Sequence, residues 1–149
     1  MKRLSILFIG AVAILPAGLS VAAPAHGART ANLQLRHTAL GTILVNGQGH
    51  TVFAFTRDSR NHDRCATISG CTGIWPMVST IGKPSLGPGV TRSRVGTIEA
   101  PGGTRQVTYA GHPLYTYIAD SGSGDTSYVG VSQFGGRWLA LTPAGHLVK

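Results

Sequence analysis

A chain of 149 residues, 42% apolar and 12% charged, has room for one domain or two very small ones. Its 13 Lys and Arg outnumber 5 Asp and Glu, for a formal charge of +8. Yet Arg57, Arg60, Arg64, Arg92, Arg94, Arg105 and Arg137 are dispersed, without a basic run or a recognisable DNA-binding helix, which argues against specific nucleic-acid recognition.

The chain opens with Met1-Lys2-Arg3 and an apolar run over 4–19, the basic and hydrophobic regions of a secretory signal peptide. Ala23-Pro24-Ala25 supplies a small-x-small cleavage site, so residues 1–25 are assigned to the signal. Pro16 and Gly18 interrupt the run, which is short for a membrane span, and no second apolar stretch follows, so no transmembrane span is expected after cleavage. No cysteine stands at the cleavage region to take a lipid. Losing Lys2 and Arg3 leaves eleven Lys and Arg against five Asp and Glu, a charge of +6. Such a product is drawn to anionic envelope polymers or to an envelope protein.

Residues 26–37 are small and polar with no sustained period, and are expected to form a flexible leader. A first repeat over 38–80 begins with two extended runs, 42–45 and 51–56, around Asn46-Gly47, a hairpin signal. Alternation puts Phe53 and Phe55 on one face of the second run, Val52 and Ala54 on the other. A polar loop follows, holding Cys65 and Cys71. In an exported chain with no other cysteine, a disulfide is the simplest pairing, worth about 2 kcal/mol for so small a loop. Trp75-Pro76-Met77-Val78 is the closing apolar strand, demoted to an edge or bulge by its proline.

Residues 81–93, rich in Gly and Pro, are a connector. The second repeat, 94–149, opens with a short strand over 94–99, and then the hairpin recurs: 106–109, a turn at Ala110-Gly111, and 114–118. Residues 41–58 align without a gap on 103–120, with six of eighteen pairs identical where unrelated segments would share about one or two. His50 matches His112, Asp58 matches Asp120, and Phe53 and Phe55 match Tyr115 and Tyr117. A tryptophan follows each aspartate, Trp75 and Trp138, the second opening the closing run Trp138-Leu139-Ala140-Leu141. Past the first apolar stretch no window keeps a helical period, and 21 Gly and 8 Pro punctuate the chain. The expected fold is all-β: two tandem antiparallel β-hairpin repeats sharing one core, sandwich- or barrel-like.

Several constellations carry possible chemistry. A two-fold arrangement of repeats would bring Asp58 and Asp120 together as a proton-sharing dyad, the basis of a small hydrolase. Asp120-Ser121-Gly122 resembles the aspartic-protease triplet, but Asp58-Ser59-Arg60 lacks its glycine. The plainer role is to accept backbone N–H bonds where strand meets loop. His50 and His112, with Met77, are candidates for a metal or haem site, though no two histidines stand at ligand spacing and no Cys-x-x-Cys-His exists. The aromatic residues suit a sugar-stacking surface or, more simply, cross-strand packing.

Tyr115-Thr116-Tyr117-Ile118-Ala119-Asp120 fits the Tyr-x-(Phe/Trp/Tyr)-x-x-Asp signature, and the stretch from Gly102 through Gln106-Val107-Thr108-Tyr109 to Pro113-Leu114-Tyr115 extends the likeness. With Gly124-Asp125-Thr126, Cys65, Cys71 and Trp75-Pro76, the chain resembles a bacterial family of secreted or lipid-anchored repeat proteins of unknown function. Phe53 replaces the motif tyrosine in the first copy. The resemblance implies an extracytoplasmic address and a repeat architecture, without a reaction. The expectation is therefore a secreted, non-catalytic β-repeat protein of the envelope or extracellular space, structural or binding, with no cofactor. The alternatives are a metal- or haem-binding protein through His50, His112 and Met77, and the hydrolase.

Overall fold

The computed structural model describes residues 32–149. The signal peptide assigned to 1–25 and the start of the leader lie outside the described residues. Eleven strands follow in order: β1 (Asn32–Thr38), β2 (Gly41–Asn46), β3 (Phe53–Phe55), β4 (Ser79–Thr80), β5 (Ser85–Leu86), β6 (Val95–Glu99), β7 (Arg105–Tyr109), β8 (His112–Pro113), β9 (Ser132–Gln133), β10 (Gly136–Leu141) and β11 (Leu147–Val148). One helical turn, α1 (Cys71–Ile74), precedes β4. The all-β expectation holds. The strands form three sheets, ordered β2-β1-β5, β11-β10-β3 with β9 on β10, and β4-β7-β6 with β8 on β7. Among the described residues no sheet closes into a barrel.

The flexible leader expected over 26–37 is corrected over its described part. Residues 32–37 belong to β1, which pairs antiparallel with β2 from Leu33↔Asn46 to Thr38↔Gly41. Only Leu33 and Leu35 are apolar in this strand, so its alternation is too brief to stand out in the sequence. Its stability comes from the partner ladder and from Leu33, which is fully buried. The connector over 81–93 likewise contains β5, which runs parallel to β1 with Leu33 opposite Leu86. The closing strand read at Trp75-Pro76-Met77-Val78 is displaced to β4, two residues beyond Met77. Pro76 has no N–H to donate, and contributes its carbonyl to Thr116 N–H at 2.8 Å instead.

The equivalent motif strands of the two repeats meet at one reciprocal pair of residues. Phe53 N–H donates to the Tyr115 carbonyl at 2.9 Å, and Tyr115 N–H donates back to the Phe53 carbonyl at 2.9 Å. These residues occupy the same position in the two copies, and a reciprocal pair between equivalents is what a local two-fold axis requires. On its far side Phe53 pairs with Ala140 in the second repeat, while Tyr115 bridges Met77 in the first. Each motif strand therefore lies between segments of the other copy.

The loops repeat the exchange. Asn61 N–H reaches the Gly111 carbonyl at 2.7 Å, and Gly124 N–H reaches the Gly49 carbonyl at 2.8 Å. Gly49 and Gly111 both hold positive φ, 86° and 87°. A Cβ at Gly49 would collide with Ser123 Oγ, and one at Gly111 would stand 2.8 Å from Arg60 Cγ, so crowding adds to the positive φ in favouring glycine at both turns.

Neither copy owns the interior. Val52 and Ala54 pack with Leu33, Leu44, Val78, Val107, Tyr109, Leu114 and Leu141. Phe53 and Phe55, on the opposite face of the same strand, pack with Cys65, Cys71, Trp75, Tyr115 and Trp138. The alternation in β3 thus divides two buried clusters, and a smaller one holds Ile43, Val45 and Ala140. Full burial of each large apolar side chain stabilises the fold by about 1.5–3 kcal/mol, and both repeats must be present for either main cluster to close.

Candidate functional site

The most concentrated chemistry lies in the second cluster. Phe55 stacks on Trp138 with centroids 4.2 Å apart, and Trp138 stacks on Trp75 at 4.0 Å with 2° between the planes. Trp75 continues to Tyr117 at 4.5 Å, and Tyr117 to Tyr128 at 4.2 Å. Tyr115 meets the Trp138 ring edge-on at 5.1 Å, and Phe53 meets Trp75 likewise at 5.1 Å. The inner rings are buried, whereas Tyr117 and Tyr128 are partly exposed. Each well-placed ring pair contributes about 0.5–1.5 kcal/mol beyond area burial.

The polar ends of these rings differ. Trp75 Nε1 donates to Gln133 Oε1 at 2.8 Å, while Trp138 Nε1 is buried without a partner among the described residues. Leaving that donor unsatisfied costs about 1–3 kcal/mol, which the stacking on both ring faces offsets. Tyr115 O–H donates to Asp58 Oδ2 at 2.9 Å, linking the second-copy motif tyrosine to the first-copy motif aspartate. The symmetry-related bond does not exist, because the first copy has Phe53 in place of the tyrosine.

Asp58 sits in the turn that leaves β3. Its N–H donates to the Phe55 carbonyl at 3.0 Å, and its Oδ1 accepts from Arg64 N–H at 2.8 Å. Burial pushes its carboxyl up to about 6, and neighbouring Asp63 adds to this. The bonds from Arg64 N–H, Tyr115 O–H and Cys65 N–H work in the opposite direction. Burial raises the Tyr115 phenol well above its ordinary value, and the Asp58 charge adds to the shift.

Asp120 is buried and differently bonded: its Oδ2 accepts from Thr51 N–H at 3.2 Å and its Oδ1 from Gly122 N–H at 3.4 Å. Each motif aspartate thus holds groups of the other copy, and the two carboxylates are bonded to separate donors.

The histidines have local roles. His50 N–H donates to Asn46 Oδ1 at 3.0 Å and its carbonyl accepts from Asn46 N–H at 2.9 Å, closing the turn after β2. His112 lies in β8 opposite Tyr109, and burial followed by the Arg60 charge lowers its basicity. Met77 packs against the aromatic cluster. Among the described residues no group of three or more His, Cys, Asp or Glu is placed to hold a metal ion. Cys65 and Cys71 are joined by a disulfide, with Cα atoms 5.4 Å apart, in the wall of the aromatic cluster.

Sequence reasoning found the rings, the aspartates and the cysteines but missed Tyr128 and Gln133, which lie in the segment between Asp120 and Trp138 where the copies differ, Gln133 within β9. It also missed a cleft of about 410 Å³ between β5 and β6, lined by Lys83, Arg92, Arg105, Leu86 and Val95. Both strands are sheet edges. Among the described residues the ion pair is Arg105 with Glu99, so Lys83 and Arg92 bring uncompensated charge to the cleft.

A duplicated β unit, two copies sharing an aromatic core and a disulfide at its wall, defines a repeat protein of extracytoplasmic type. Residues 35–79 and 96–142 match the family described as a secreted repeat of unknown function, and the chain belongs to that family. No curated protein and no solved structure matches it. Among the described residues no helix is long and apolar enough to cross a membrane.

Proposed function

We propose that the protein is a non-catalytic binding module that attaches to an anionic polymer of the cell envelope through the cleft between β5 and β6. The observation that carries this reading is the coincidence of two sheet edges with two cations, Lys83 and Arg92, that have no ion pair among the described residues. Leu86 and Val95 supply an apolar floor, Lys83 and Arg92 bring charge with no carboxylate partner among the described residues, and Arg105 is held by Thr97 Oγ1 at 2.6 Å. A sugar ring covers the floor while its carboxylate or phosphate meets the cations, a division of labour that suits an acidic glycan. The duplicated core then acts as a rigid frame that sets the two edges at a fixed spacing.

Binding of the purified protein to an acidic polysaccharide and to a neutral one, at low and high salt, tests the reading. Retention on the acidic polymer alone, weakened by salt and lost in a Lys83→Ala/Arg92→Ala variant, is expected, because attraction between exposed charges decays over about 8 Å at physiological ionic strength and over less as salt rises. Equal retention of the variant contradicts it.

A further inference from the structure

The ring stack has a property that packing does not require. Four oxidisable rings stand in series, Tyr128, Tyr117, Trp75 and Trp138, with successive centroids 4.2, 4.5 and 4.0 Å apart, and a fifth, Tyr115, meets Trp138 at 5.1 Å. The series begins at partly exposed phenols and ends at a buried one. Among the described residues, the hydrogen bonds recorded along it meet a carboxylate at one place. Trp75 Nε1 faces the neutral amide of Gln133, Trp138 Nε1 faces no acceptor, and Tyr128 O–H stands 3.5 Å from the Ala119 carbonyl. Tyr115 alone donates to a carboxylate, Asp58 Oδ2, at 2.9 Å.

We propose that this stack is a one-electron relay that carries an oxidising equivalent from the surface tyrosines to Tyr115, where Asp58 receives the phenolic proton. An oxygen-centred radical of the extracellular space, such as a peroxyl radical, takes an electron and the phenolic proton from Tyr128 or Tyr117, giving the hydroperoxide and a neutral surface phenoxyl, which regains a proton from water as Trp75 reduces it. The electron vacancy passes through Trp75 and Trp138. An indole radical cation whose N–H has no base to take its proton stays protonated and strongly oxidising, so the vacancy does not settle there. At Tyr115 the electron leaves the ring as the O–H bond breaks and the proton moves to Asp58 Oδ2, within hydrogen-bond reach, giving a neutral phenoxyl radical beside a neutral carboxylic acid. Phe53 and Phe55 flank the tryptophans with rings that are hard to oxidise, confining the path. The first-copy Phe53, where the second copy has Tyr115, makes the relay one-ended in an otherwise two-fold core. This activity is separate from the cleft.

Flash oxidation of the disulfide-intact protein by a photogenerated ruthenium(III) polypyridyl complex, followed by freezing and electron paramagnetic resonance, tests the proposal. A neutral tyrosyl radical residing on Tyr115 is expected in the unaltered protein, with that spectral component lost in Tyr115→Phe and reduced at least about tenfold in Asp58→Asn, in keeping with loss of a positioned proton acceptor. Trp138→Phe keeps a stackable ring and should delay the signal. Site-specific fluorotyrosine at 115 keeps the ring and the hydrogen bond and should change the splitting of the signal, which provides the assignment if Tyr115→Phe does not fold. A radical whose spectrum ignores the fluorine, or a yield unchanged in folded Asp58→Asn, overturns the relay.

Discussion

Phe53 and Tyr115 exchange both of their backbone hydrogen bonds, each at 2.9 Å, although 62 positions separate them in the chain. Because they are equivalent residues of the two copies, the local two-fold axis passes between them. Everything outward follows the same exchange: Phe53 pairs with Ala140, Tyr115 bridges Met77, Asp58 holds Tyr115, and Asp120 holds Thr51.

Neither half should fold alone. A fragment of residues 32–80 would lack Val107, Tyr109, Leu114, Tyr115 and Trp138 from its clusters and should show no cooperative thermal transition by circular dichroism. Mixing it with residues 81–149 should restore one.

Asp58 should give stability a specific pH dependence. Its carboxyl is raised from 3.8 to about 6 in the folded state, so the folded protein holds this proton more tightly than the unfolded chain. The contribution is full below the unfolded value, declines as pH rises to about 6, and is flat above. Solvent reaches this half-buried group, so the change is on the order of 1 kcal/mol. Urea midpoints across that interval should fall with pH in the unaltered protein, and Asp58→Asn should remove this contribution to the slope.

Asp120→Asn leaves one oxygen where Thr51 N–H and Gly122 N–H each have one now. It should destabilise the fold by about 1–3 kcal/mol in denaturant titration, the cost of an unmet buried donor.

Gly49→Ala places a methyl against Ser123 Oγ at positive φ. It should cost about 1–3 kcal/mol, and Ser123→Gly in the same chain should recover only the steric part, leaving the backbone strain.

The duplication and the two faces of β3 were legible because identical residues recur at a fixed offset and the alternation of Val52, Phe53, Ala54 and Phe55 has period two. The strand β1 was not, since two leucines among polar residues carry too little pattern and its ladder partner supplies the rest. Nor was the exchange between copies, because a hairpin signal is local while the Phe53–Tyr115 pair spans the duplication. The sequence supplied two equivalent aspartates, and the loss of one motif hydroxyl at Phe53 led them to different partners.

The interlocked axis is tested most directly by nuclear magnetic resonance of the protein. A reciprocal antiparallel pair brings its two amide protons face to face, so an amide–amide cross-relaxation peak between Phe53 and Tyr115 is predicted, with both amides protected from hydrogen exchange. Absence of that peak with either amide exchanging as freely as an exposed loop would contradict the account.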